Sequence, residues 1–172
     1  GESVKIRNHI LSIFEQAAKE TDAAKRRELL TFVCVGGGPT GVEEAGALSE
    51  LIYSVMKKEY HHLDFNEVDI KLIEATDRLL PMMPESLRDE TVSVLRSKKV
   101  DVRMNTQVMN YDGKALSFKD GEVVPTRTVI WAAGVKAVPV IARLGAEIDR
   151  AGRVIVRKTL QVPGYPEVYA IG

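Results

Sequence analysis

The sequence of 172 residues has one cysteine, one tryptophan and no net charge, since 24 basic residues balance 24 acidic ones. The single cysteine, Cys34, excludes a CxxC redox pair within the chain. The balanced charge gives no electrostatic basis for binding nucleic acid or an anionic membrane. No apolar run approaches the roughly 20 residues that a membrane-spanning helix needs. No signal peptide is visible, so we expect a reduced, cytoplasmic protein.

A glycine-rich stretch is the most informative pattern that is present. An apolar run at 32–35 leads into Gly36-x-Gly38-x-x-Gly41, and an Ala- and Leu-rich helical pattern follows. A strand, a tight turn and a helix N-terminus in this order bind the pyrophosphate of a dinucleotide. Gly36 allows the turn, Gly38 lets the backbone approach the phosphates, and Gly41 lets the helix pack close to the sheet. The predicted phosphate-binding residues are Gly36, Gly37, Gly38, Pro39, Thr40 and Gly41.

The hydrophobic periodicity predicts an α/β fold with a Rossmann-like parallel sheet and a glycine-loop helix. Asp-Gly pairs at 112–113 and 120–121 are hairpin signals, so the short strands around them predict a three-stranded antiparallel meander in place of a crossover helix. In the second sheet-flanking helix we expect Leu87, Val94 and Leu95 to face inward. The predicted helices cover about 4–20, 39–60 and 85–98, and the predicted strands 31–35, 68–73, 100–104, 108–111, 115–118, 122–124 and 128–131.

Ligands bind such sheets at the carboxyl ends of the strands, which draws attention to three places. These are the glycine turn, Glu74 after the second strand, and the small residues Ala132, Ala133 and Gly134 after the last strand. The small residues would let a planar ring approach, or they are simple packing. Trp131 alternates away from Ala132, and we expect it in the core or at a domain interface.

Glu74 is the second informative residue. An acid at this strand end accepts hydrogen bonds from the adenosine ribose and repels the extra phosphate of NADP. It follows Gly41 by 33 positions instead of the usual ~20, which the long helix and the loop after it explain; the alternative is an exposed strand-end acid. Ala75 and Arg78 lie beside it, and Arg78 could accommodate a 2′-phosphate. We favour NADH.

Glu43 is the candidate catalytic residue, near the start of the glycine helix. Two interpretations stay open at this point. The helix dipole stabilises a carboxylate there by about 0.3–1 kcal/mol, or the side chain faces the nicotinamide or a flavin. The sequence has no Ser/His/Asp constellation and no cluster with metal-ligand spacing, so we predict no metal site.

Three motifs together resemble type II NADH dehydrogenases, which are flavoproteins of the pyridine nucleotide-disulfide oxidoreductase-like superfamily. They are Val-Gly-Gly-Gly-Pro-Thr-Gly-Val-Glu at 35–43, Ile-Glu-Ala-Thr-Asp-Arg-Leu-Leu-Pro at 73–81 and Val-Ile-Trp-Ala-Ala-Gly-Val at 129–135. The segments 6–11 and 168–172 fit as well. The likeness covers essentially the whole chain.

The resemblance implies an NADH-binding domain inserted between two halves of an FAD-binding domain. Hydride would pass from NADH to FAD, and electrons would then pass to a membrane quinone. Carried over to this sequence, Gly36 to Gly41 hold the pyrophosphate and Glu74 the adenosine ribose. Ala132 to Gly134 lie at the nicotinamide, and Glu43 lies near the nicotinamide and the flavin. The chain alone should bind NADH and catalyse nothing.

The expected organisation is one NAD(H)-binding domain over 1–172, with its core at about 31–135. Residues 1–30 form a helical lead-in, and 136–172 return towards an FAD domain that we expect to be missing. The resemblance allows a homodimer and places the full-length protein on the cytoplasmic face of the membrane, through segments absent here. Two alternatives stay open: a reductase with a ferredoxin-like, oxygen or peroxide acceptor, and a non-catalytic nucleotide-sensing module.

Overall fold

The computed structural model describes residues 2–134, 139–149 and 152–171. The chain divides into two compact units, Gly1–Ala133 and Gly134–Gly172. Val135 and Gly172, which close two of the sequence motifs, lie outside the described residues, as does part of the predicted return segment.

The first unit alternates helices and strands before it changes to short strands alone. Its elements are α1 (Glu2–Ala17), α2 (Ala23–Leu29), β1 (Thr31–Val35), α3 (Pro39–Glu50), a π-helix (Leu51–Met56), α4 (Lys57–Glu59), β2 (Asp69–Ile73), α5 (Glu85–Ser97), β3 (Val100–Arg103), β4 (Val108–Tyr111), β5 (Ala115–Phe118), β6 (Val123–Pro125) and β7 (Thr128–Trp131). The second unit contains a 3₁₀ helix (Pro139–Leu144) and the antiparallel pair β8 (Gln161–Val162) and β9 (Tyr165–Tyr169).

Four strands form a parallel sheet in the order β3-β2-β1-β7. The predicted α/β fold with a parallel sheet is therefore confirmed. β4, β5 and β6 form a separate antiparallel sheet, as the Asp-Gly pairs predicted. Gly113 and Gly121 have φ of 91° and 92° in its two turns, a conformation that glycine adopts without steric cost. Because the four parallel strands point the same way, their carboxyl ends meet at one edge of the sheet.

β1 is buried on both of its faces, and its residues after Thr31 are all apolar. Phe32 and Cys34 belong to the larger core, formed with α1, α3 and α5. Val33 and Val35 belong to a smaller core, formed with Leu116 and other residues of the meander. The meander thus covers the face that a crossover helix would otherwise cover.

The long glycine helix that the sequence predicts is interrupted by a π-helix. α3 passes directly into Leu51–Met56, and α4 completes the helical stretch at Glu59. Ile52 and Met56 are buried along this segment. The sequence predicted the extent of the helix but not the wider turn in its middle.

The expectation that Leu87 and Val94 face inward is wrong. Leu95 is buried on α5, but Leu87 and Val94 are 48% and 45% exposed. They line a groove between α5 and α3 that no described residue fills. Trp131 is 60% exposed, which excludes the core for this residue, and its placement at a domain interface stays a prediction. Among the described residues, no helix is long and apolar enough to cross a membrane.

Candidate nucleotide-binding site

The glycine turn is held tightly against the end of β7. Gly36 leaves β1 with a φ of 119°, and a Cβ at this position would lie 2.8 Å from the backbone nitrogen of Ala133. Ala132 N donates to Val35 O at 2.9 Å, and Gly36 N donates to Ile73 O at 2.8 Å. These contacts bring the turn, Ala132 and Ala133 together at the carboxyl edge of the sheet. Gly134 begins the second unit with a φ of 80°.

Gly41 and Gly38 have opposite surroundings although they lie three residues apart. A Cβ at Gly41 would overlap the carbonyl oxygen of Gly36, so the helix packs directly on the turn. A Cβ at Gly38 would meet no atom of the described residues within 4 Å. Gly38 is the N-cap of α3 and gives no side-chain cap, while Pro39 occupies the first helical turn. Thr40 follows and is exposed.

These features fit the pyrophosphate of a dinucleotide. A phosphate needs backbone N–H groups that it can approach without meeting side chains, and the N-terminus of a helix favours negative charge. The open space at Gly38 and the first turn of α3 provide both. Among the described residues, no group of three or more His, Cys, Asp or Glu side chains is arranged to hold a metal ion.

Glu74 lies at the end of β2 with its carboxylate against the glycine turn. Its Oε2 accepts from Gly37 N at 2.6 Å. Its Oε1 accepts from Thr76 N at 2.7 Å and from Thr76 Oγ1 at 2.8 Å. Partial burial alone would raise the pKa of Glu74, but hydrogen bonds from Thr76, Gly37 and Ala75 outweigh it and lower the pKa below its usual value. The side chain is therefore an ionised carboxylate at neutral pH.

The segment after β2 makes three contacts with Gly37, which the sequence pattern did not predict. Besides the hydrogen bond to Glu74, Leu80 N donates to Gly37 O at 2.8 Å. A Cβ at Gly37 would lie 2.7 Å from Leu79 Cδ2. Leu80 has a φ of 46°, which is uncommon for a residue other than glycine. No local sequence signal marks this contact, because its partners lie about 40 positions apart.

Arg78 is turned towards a neighbouring acid. Its Nε and Nη2 donate to the two carboxylate oxygens of Asp77 at 2.7 and 2.6 Å, and both side chains are about half exposed. This hydrogen-bonded pair raises the pKa of Arg78 and lowers the pKa of Asp77. Ala75 is exposed beside them. The structure thus places Arg78 in an ion pair that a phosphate would have to compete with.

The two glutamates of α3 face different surroundings. Glu43 is exposed and lies at the rim of the groove of about 640 Å³ between α3 and α5. Glu44 is half-buried on the side of the helix that faces Ile130. Burial and, secondarily, the charge of Glu44 raise the pKa of the Cys34 thiol to about 12, so this thiol is not a nucleophile at neutral pH. The role predicted for Glu43 stays a prediction.

Comparison with known proteins identifies the family. The family model described as pyridine nucleotide-disulphide oxidoreductase matches residues 5–172. The chain belongs to this family. The resemblance that the motifs indicated is thereby confirmed, and it extends to individual relatives.

Two relatives of the oxidoreductase family and one solved structure match nearly the whole chain. A type II NADH:quinone oxidoreductase of Mycobacterium tuberculosis is 36% identical, and the match covers 99% of this chain and 39% of the relative. A probable mitochondrial NADH-ubiquinone oxidoreductase of Schizosaccharomyces pombe is 35% identical, covering 98% and 32%. The structure of NDH2 from Plasmodium falciparum in complex with NADH matches with a TM-score of 0.87 and 27% identity, covering 98% and 36%. The chain therefore spans less than two fifths of the length of these relatives.

Proposed function

We propose that this chain is the NADH-binding domain of a flavin-dependent NADH dehydrogenase that passes hydride from NADH to FAD and electrons to a quinone. The family match and the type II relatives support the reaction class. The observation that carries the proposal is the ionised carboxylate of Glu74, 2.6 Å from Gly37 N in a turn whose next glycine is open. An acid in this position recognises ribose hydroxyls beside a bound pyrophosphate.

We assign each group at the carboxyl edge of the parallel sheet to one part of the bound nucleotide or of the reaction. The open backbone at Gly38 and the first turn of α3 hold the pyrophosphate, and Glu74 accepts hydrogen bonds from the adenosine ribose. The small side chains of Ala132 and Ala133 leave room for the nicotinamide half, with Glu43 towards the flavin. NADH supplies a hydride when bound. We assign FAD no residues within this chain.

The charges around Glu74 favour NADH over NADPH. A 2′-phosphate would bring negative charge next to an ionised carboxylate, which costs binding free energy. Arg78 offers limited compensation, because its guanidinium already makes two hydrogen bonds to Asp77. Selectivity for NADH therefore depends mainly on Glu74.

Calorimetric titration of the chain with NADH and with NADPH tests this proposal. We expect NADH to bind about tenfold more tightly or better, the size of one hydrogen bond to a charged group. Glu74→Ala should erase most of this preference, whereas Glu59→Ala, which removes an exposed carboxylate on α4, should leave it intact. Tighter binding of NADPH by the unchanged chain would refute the role of Glu74.

Absorbance spectra and acceptor assays test the flavin and quinone parts. The purified chain should be colourless and should not reduce quinone, because we place FAD outside it. A stoichiometric flavin spectrum would mean that the glycine loop binds FAD. In the product of the full reading frame we expect bound flavin and quinone-dependent oxidation of NADH. Oxidation only with a ferredoxin-like protein, oxygen or peroxide would contradict the quinone assignment.

A further inference from the structure

Thr76 donates two hydrogen bonds to the same oxygen of the Glu74 carboxylate, one from its backbone and one from its side chain. Both its backbone N–H and its hydroxyl lie within 2.8 Å of Oε1. The hydroxyl also lies 3.2 Å from the carbonyl oxygen of Arg78. A hydroxyl has one proton, and an ionised acceptor gives the shorter and stronger bond. The proton therefore belongs on the bond to Glu74.

We propose that Thr76 is a positioning residue that sets the nucleotide selectivity of this site. Its two donors hold Oε1, and this directs Oε2 to Gly37 N at 2.6 Å. The carboxylate then stands beside the turn in one orientation. This inference rests on the proposed function, because it assigns to Thr76 the orientation of the carboxylate that recognises ribose.

Loss of the hydroxyl would remove one of the two donors that Thr76 provides to Oε1. The side chain of Glu74 has several rotatable bonds, and its terminal carboxylate torsion is broad. Without the hydroxyl of Thr76 as a donor, the carboxylate can therefore turn away from the glycine loop. Thr76 itself is exposed, so its hydroxyl is not needed to fill the core. The expected consequence is weaker discrimination between nucleotides in a chain that is still folded.

The test compares Thr76→Val, which removes the hydroxyl, with Thr76→Ser, which keeps it. Calorimetry with NADH and NADPH gives the affinity ratio of each variant, and thermal unfolding verifies that both are folded. We expect Thr76→Val to reduce the NADH preference by about fivefold or more, within the range for a hydrogen bond to a charged group. Thr76→Ser should retain the wild-type ratio.

A second arm separates positioning from a general structural role. In a Glu74→Gln background, Thr76→Val should change the affinity ratio no further, because the carboxylate it orients is gone. Equal losses of affinity for both nucleotides, with an unchanged ratio, would overturn the inference while leaving the proposed function intact. A wild-type chain with no preference for NADH would instead refute the proposed role of Glu74.

Discussion

Protein atoms enclose Gly36, Gly37 and Gly41, whereas a side chain at Gly38 would meet no atom of the described residues within 4 Å. All four belong to one glycine motif that runs from the turn into α3, yet only Gly36, Gly37 and Gly41 have protein atoms in the way of a side chain. Among the described residues, no neighbour of Gly38 would require glycine at that position. One motif therefore contains positions that the packing restricts and a position that the packing leaves open, and substitutions can separate the two.

Among substitutions at the enclosed glycines, Gly41→Ala should cause the largest loss of stability. The new methyl group would overlap the backbone oxygen of Gly36, and neither backbone can move without disturbing β1 or α3. We expect a loss of more than about 3 kcal/mol in the free energy of unfolding, measured by urea or thermal denaturation. Gly46→Ala is the matched control, since Gly46 lies within the same helix with open space around it. That variant should gain about 0.5–1 kcal/mol, and equal stability of the two variants would contradict the comparison.

Gly37→Ala should have an intermediate effect, because the atoms in the way belong to side chains. Its Cβ would lie 2.7 Å from Leu79 Cδ2 and 2.9 Å from Glu74 Cγ. These groups can shift at a cost of about 1–3 kcal/mol. We also expect weaker NADH binding, since the shift moves Glu74. Denaturation measures the stability of this variant, and titration with NADH measures its affinity. A variant as stable as the wild type would show that Leu79 and Glu74 do not pack tightly against Gly37.

Gly38→Ala should affect the ligand and spare the fold. Its φ of −76° and ψ of 179° suit any residue, and alanine in place of glycine at an N-cap changes the stability by no more than about 1 kcal/mol. A methyl group there would stand where the phosphates approach, so we expect about tenfold weaker NADH binding by calorimetry. Unchanged affinity would place the pyrophosphate elsewhere.

Low pH should have the smallest effect on stability, because it acts through the carboxylate of Glu74, which accepts a hydrogen bond from Gly37 N. Folding lowers the pKa of Glu74, so its ionised form stabilises the fold above the ordinary glutamate pKa of about 4.3. This contribution is lost as the pH falls through the lowered pKa. The stability difference between the wild type and Glu74→Gln should therefore be constant near neutral pH and shrink in acid. Chemical denaturation across this range measures it, and a difference that persists in acid would contradict the assignment.

The sequence predicted those features that depend on local patterns. β1 and β7 have the predicted bounds, and the Asp-Gly turns predicted the meander. Glycine spacing likewise indicated the turn and the helix after it. Such features follow from side-chain periodicity and backbone freedom, which depend on residues that are close together in the sequence.

Features that depend on distant contacts could not be predicted. Leu87 and Val94 follow the helical periodicity of an inward face, but the groove beside them is not filled by described residues, so they stay exposed. The hydrogen bond from Gly37 to Glu74 joins residues 37 positions apart. In each case the partner, not the local pattern, determines the outcome.

Trp131 gives the chain an intrinsic optical probe. It is the only tryptophan of the sequence and is 60% exposed. Its Nε1 donates to the carbonyl oxygen of Ala133 at 2.7 Å, and the backbone of Ala133 lies against Gly36. Indole emission depends on the polarity around the ring, and here all of it comes from one place beside the turn. A change in that emission would therefore report events at the strand edge without an attached label.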